Sequence, residues 1–252
     1  MPNPLRRFAT PQGYWRTSKT HRYSLVFALP LLALYELLAA FQPHDARGGE
    51  IRNGADVILR EAFAAVAGAR GGLLFGICLI GGSLWLVGRD VRAKGMPTRL
   101  GVFAGMALEA ATLAVVCGFV VNAVTARLLG LLAAGAGQGV AAMPWSMRLM
   151  ISLGAGLYEE LLFRVILVSA IGQLCRRAFG MNDWSAGAFA VTIGALVFSA
   201  FHYVGPYGDP FELRSFVYRA IAGLFFSALY LLRGFGITAW THALYDVYLL
   251  AM

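Results

Sequence analysis

Charge is what this chain has least of: Asp, Glu, Lys and Arg make up only 13% of its 252 residues, while 59% are hydrophobic. An ordinary soluble domain carries about 25% charged residues. The shortage excludes a disordered chain, which stays unfolded because it is polar and charged, and it argues against a cytosolic enzyme. Cysteine is nearly absent too. Cys78, Cys117 and Cys175 are far apart, embedded in apolar runs and free of any C-x-x-C pairing, so all three read as small core residues rather than a disulfide framework or metal site. A small-residue cleavage site after the first apolar segment is also wanting. Leu25 to Phe41 therefore reads as a retained span, not a signal peptide. No repeat, low-complexity tract or second domain is apparent.

What the chain does contain is a series of apolar runs. A bilayer asks for about 20 mostly apolar residues per helix, and seven candidates stand at 24–41, 71–88, 100–126, 148–171, 187–203, 216–233 and 236–251. The expected fold class is all-α: a polytopic transmembrane helical bundle of seven or so spans. The stretch 57–70 holds Arg60, Glu61 and Arg70 and is too short and too charged to cross alone, so it reads as an added interfacial or re-entrant helix. Gln42-Pro43, Gly95-Met96-Pro97, Gly135 to Gly139 and Gly205-Pro206 mark loops.

The net charge of +8 reads as basic cytoplasmic loops, not as a nucleic-acid surface, so the bilayer is the expected partner. Arg6, Arg7, Arg16, Lys19 and Arg22 crowd the N-terminal arm, and Arg89, Arg92, Lys94 and Arg99 the 89–99 loop, against only Arg47 and Arg52 in 42–56. Residues 1–23 are thus expected as a cytoplasmic arm and 24–252 as one integral-membrane domain of a bacterial inner membrane. Alternation puts Arg176 and Arg177 inside, and the 203–215 loop and the C-terminus outside.

Ionisable groups inside spans cost about 2.5 to 3.5 kcal/mol each on insertion scales. Against that cost the fourth span carries Glu159, Glu160 and Arg164 within six residues. Glu160 and Arg164 stand at i and i+4 in the favourable acid-before-base order and can neutralise each other. Glu159 is rotated about 100° away on a 3.6-residue helix. It is the carboxylate without a local partner, which suits a general base acting on water. A purely structural polar network is the alternative reading. The fifth span ends in Phe198-Ser-Ala-Phe-His202, and the seventh contains His242 and Asp246 at i and i+4, so Asp246 can orient the His242 ring. Of the other two histidines, His21 and His44 lie in the polar arm and loop.

Glu159-Glu160-x-x-x-Arg164, Phe198-x-x-x-His202 and His242-x-x-x-Asp246, in that order, resemble the three motifs of the CPBP intramembrane proteases, the CAAX-processing and bacteriocin-processing (Abi) family. The resemblance covers residues 145–250. It implies peptide-bond hydrolysis within the membrane, with Glu159 matching the water-activating glutamate, Glu160 and Arg164 its supporting pair, and His202 and His242 the essential histidines. Asp246 stands where the eukaryotic CAAX enzymes usually have Asn; an ionised Asp cannot donate to an oxyanion, so here it is expected to orient His242. The N-terminal half carries no assignable motif, and Glu36 and Glu109 read as packing against the bundle.

Two imidazoles and two carboxylates suffice for a zinc site, so Glu159, His202, His242 and Asp246 are the metal-ligand candidates. No H-E-x-x-H motif is present, however, and metal-free glutamic catalysis is the favoured reading. A rhomboid-type serine site is not found, and the Gly-x-Gly-Asp of presenilin-type proteases is absent. The expected substrate is a membrane-associated protein or peptide: a prenyl-CAAX-like, sorting-signal or bacteriocin-leader segment. The competing functions are an ion-coupled transporter relaying protons through the same residues and a non-catalytic scaffold.

Overall fold

The computed structural model describes residues 11–43, 49–94, 98–129, 143–205 and 208–251. Arg6, Arg7, His44, Arg47, the 95–97 and 135–139 loop segments and Pro206 lie outside the described residues. Those described form an all-helical bundle: α1 (Pro11–Ser18), α2 (His21–Ala40), α3 (Gly54–Ala67), α4 (Gly71–Lys94), α5 (Leu100–Leu129), α6 (Trp145–Gly154), α7 (Ser169–Phe179), α8 (Asp183–Phe201), α9 (Leu213–Arg233) and α10 (Phe235–Ala251). Between α6 and α7 the chain winds as a π-helix over Ala155–Val168.

Five of the described helical stretches are long and apolar enough to cross a membrane: His21–Ala40, Gly54–Ala93, Leu100–Leu129, Asp183–Phe201 and Leu213–Arg233. This is fewer than the seven expected, for two physical reasons. The α6–π–α7 rod is broken as an apolar window by Glu159, Glu160 and Arg164, and α10 is only 17 residues long. The membrane face is plain on α4, where Leu73, Ile77, Ile80 and Leu84 recur at helical spacing and are all more than half exposed. Cys78 lies on this helix and is exposed, unlike buried Cys117 and Cys175, which corrects the reading of all three cysteines as core.

The stretch Gly54–Ala93 is not one rod. Phe63 and Phe75 have ring centroids 5.5 Å apart, whereas twelve residues of straight helix would separate them by about 18 Å. A short 3₁₀ turn at Gly68–Arg70, with Gly68 at φ 58°, folds α3 back on α4. At about 1.5 Å per residue, α3 spans some 21 Å, short of the hydrocarbon core.

Helix ends fall into two groups. At one end Arg22 of α2 faces Asp90 of α4 at 4.0 Å, Tyr23 Oη accepts from the Arg99 N–H, Gly236 of α10 donates to Ser24 Oγ, and Arg233 of α9 bonds Glu109 of α5. At the other end Phe201 of α8 abuts Gly54 of α3, and Arg148 of α6 bonds the Leu250 carbonyl. α2 and α10 therefore run parallel.

Candidate active site

Two glycines, Gly154 at the end of α6 and Gly156 in the π-helix, let this rod come close to its neighbours. A Cβ on Gly154 would lie 2.5 Å from the Tyr35 ring and 2.7 Å from Asn53 Cβ; one on Gly156 would lie 2.4 Å from the Ala239 carbonyl oxygen. Small residues at such crossings allow backbones to approach where lipid supplies no hydrophobic drive. On one side this brings Glu159 to the start of α3. On the other it brings Glu160 to α10.

Four of the six residues singled out in the sequence, Glu159, His202, His242 and Asp246, line one cavity of about 210 Å³, together with Tyr218, Arg219 and Phe226. Glu160 and Arg164 stand behind it, both essentially without exposure. Their pairing is as expected: Arg164 Nη1 lies 3.1 Å from Glu160 Oε1, and the guanidinium sits 4.3 Å over the Phe198 ring. The same Glu160 oxygen accepts from His242 Nδ1 at 2.6 Å. Asp246 Oδ2 is 3.7 Å from His242 Nε2, beyond hydrogen-bond reach. The carboxylate that orients His242 is thus Glu160, not the expected Asp246. Sequence spacing favoured Asp246 because it sits on the same helix; tertiary packing supplied the better partner. Phe226 stacks on the imidazole at 4.2 Å between centroids and fixes its plane.

His202 caps the C-terminal end of α8, half-buried, its Nδ1 2.9 Å from the Phe198 carbonyl. A carbonyl only accepts, so Nδ1 carries the hydrogen and Nε2 of the neutral ring is an acceptor. Glu159 does have a partner, one no local pattern reveals: Asn53 Nδ2 donates to its Oε1 at 3.0 Å. Its Oε2 is buried with no hydrogen-bond partner among the described residues. Beside Asn53, Glu36, Arg52, Asp56 and Arg60 form a polar network, with Arg52 bonding Glu36, Glu50 and Asp56 and Tyr158 Oη donating to Glu36 at 2.9 Å. Tyr218 and Tyr245, whose hydroxyls bond to each other, and Arg219, paired with Asp209, complete the cavity wall. None of these carried a sequence signal beyond being polar in an apolar chain.

Among the described residues no three His, Cys, Asp or Glu side chains stand together as a metal site. The Nδ1 of each histidine is engaged, by the Phe198 carbonyl in His202 and by Glu160 in His242, which leaves Nε2 as the remaining ring nitrogen of each.

Residues 141–248 match the type II CAAX prenyl endopeptidase Rce1-like proteins. This part of the chain is similar to that family. The Rce1-like segment carries all six motif residues, agrees with the resemblance read from them, and supports a CAAX-type intramembrane endopeptidase. With its apolar helices, it makes the protein an integral membrane protein. No curated protein and no solved structure matches the chain.

Proposed function

We propose that the protein hydrolyses a peptide bond of a membrane-associated substrate by a glutamic mechanism. The observation that carries the reading is the meeting of Glu159, His202 and His242 around a single cavity. Water needs room and polar partners; the cavity has both.

In the proposed step Glu159 takes a proton from water through Oε2 while the hydroxide oxygen bonds to the scissile carbonyl carbon. The carbonyl π electrons move to oxygen. His202 Nε2 accepts a hydrogen bond from the attacking water when the ring is neutral; where the ring enters the cycle already as an imidazolium, its Nε2–H donates to the oxyanion instead. His242, held at Nδ1 by Glu160, faces the same charge when its Nε2 is protonated, with Asp246 beside it. Collapse re-forms the carbonyl, breaks the C–N bond and returns the Glu159 proton to the leaving amine. No step calls on an ion.

The substrate class fits a segment near its lipid-anchored or membrane-embedded end, since the site lies among apolar helices. The basic residues Arg16, Lys19, Arg22, Arg89, Arg92 and Arg99 gather at the end of the bundle away from His202. By the positive-inside rule that end is cytoplasmic, and the cavity lies toward the external one. This suits trimming of an exported protein.

The test is cleavage of a quenched fluorogenic prenylated peptide in liposomes carrying the protein. Glu159→Gln, His202→Ala and His242→Ala are each expected to lose at least about 100-fold in kcat, with chelators without effect. Activity lost on chelation and restored by zinc contradicts the glutamic mechanism, and full activity in Glu159→Gln contradicts the assignment of the base.

A further inference from the structure

We infer that Asn53 is a positioning residue for Glu159, supplied from outside the Rce1-like segment; the inference rests on the proposed role of Glu159. Asn53 precedes α3 and is only 4% exposed. Each of its polar groups is committed. Oδ1 accepts from the Ala55 N–H at 2.9 Å and caps α3. The backbone N–H donates to Tyr35 Oη at 3.0 Å, and that hydroxyl donates to Asp56 at 2.9 Å. Only Nδ2 remains, and it faces Glu159 Oε1 at 3.0 Å.

The orientation of the amide is determined. Flipping it would set oxygen against the Glu159 carboxylate and NH₂ against the Ala55 N–H, two repulsions in place of two bonds. With Oε1 engaged, the oxygen left for water is Oε2, the one with no hydrogen-bond partner among the described residues. Asn53 thereby selects which lone pairs of the base meet the substrate water and holds the carboxylate rotamer. Its own position is secured from both sides. Gly154 admits it against the π-helix, and Asp56, one turn into α3, is clamped by Arg52 at 3.0 Å and Arg60 at 2.7 Å. The helix too short to cross the bilayer thus delivers one amide to the base.

The decisive variant is Asn53→Asp. It keeps the size and the cap, Asp being as good an N-cap as Asn, but turns the group facing Glu159 from donor to acceptor. In the liposome assay kcat is expected to fall about 10- to 100-fold, as for other groups that orient a reacting side chain, with KM nearly unchanged, and the unfolding midpoint is expected to drop because two carboxylates then face each other in a buried site. The ratio of variant to wild-type kcat should rise as the pH is lowered, because the introduced carboxyl regains a donor once it is protonated. Asn53→Ser, which caps but does not reach, should show the loss without the pH recovery. A substrate-free readout accompanies it. The wild-type minus Glu159→Gln infrared difference identifies the Glu159 carboxylate band, and Asn53→Asp should shift that band. Wild-type kcat or an unmoved band in Asn53→Asp, while Glu159→Gln is inactive, overturns the Asn53 assignment alone; wild-type turnover in Glu159→Gln overturns both.

Discussion

Glu160 is the most heavily used side chain of the site, since one of its oxygens serves both Arg164 and His242. Removing one member of a buried ion pair leaves the other desolvated and uncompensated, at a cost of about 3–5 kcal/mol, whereas removing both in favour of apolar residues is often neutral. Glu160→Gln is therefore expected to lower the unfolding free energy in detergent by about 3–5 kcal/mol. The double variant Glu160→Leu with Arg164→Met should recover most of it. Both should be poorly active, because Leu removes the acceptor on His242 Nδ1 and Gln replaces a charged acceptor with a weaker neutral amide. A double variant as unstable as the single one would show that the pair does not act as a neutralising unit. The i, i+4 spacing of Glu160 and Arg164 made their pairing legible in advance. The Glu160 contact to His242 spans 82 positions in the chain, and no periodicity reports that.

Among the elements, the π-helix and α10 depend on the absence of a side chain at Gly156. An added methyl would meet backbone, 2.4 Å from the Ala239 oxygen, and neither partner is a flexible tip. Overpacking of this kind costs about 1–3 kcal/mol, and a shift of about 1 Å at a reacting group can cost 100-fold in rate. Gly156→Ala should thus lose both thermal stability and peptide cleavage. Gly172→Ala is the control, its nearest neighbour being the flexible Arg176 tip at 3.5 Å; equal behaviour of the two would refute the close-approach argument. Glycines at 154 and 156 would allow a helix to break there. The chain instead widens its helical turn there, which shifts Glu159 and Glu160 toward different neighbours.

For the whole molecule, the parallel run of α2 and α10 puts the N-terminal ends of these two helices together, through the Gly236 to Ser24 bond. The start of α2 and the end of α10 are then on opposite faces. Reporter fusions should accordingly read cytoplasmic at the N-terminus and after Arg177, and external after the C-terminus. A cytoplasmic reporter active at the C-terminus would place the cavity on the other face and remove the exported-substrate reading. The basic arm and loops carry the expectation of this polarity, because lysine and arginine placement is set by insertion and not by packing.

Apolar runs and their punctuation were enough for an all-helical membrane bundle, since a lipid solvent forces every backbone group to bond within its own helix. The ordered Glu, His and His-Asp motifs pointed to the site residues, since charges in apolar helices demand a reason. Packing alone settled which carboxylate holds which ring, how Glu159 acquires an amide partner, and that α3 folds back beneath it. Those outcomes depend on contacts between segments far apart in the chain, whose geometry follows from where glycines allow backbones to touch.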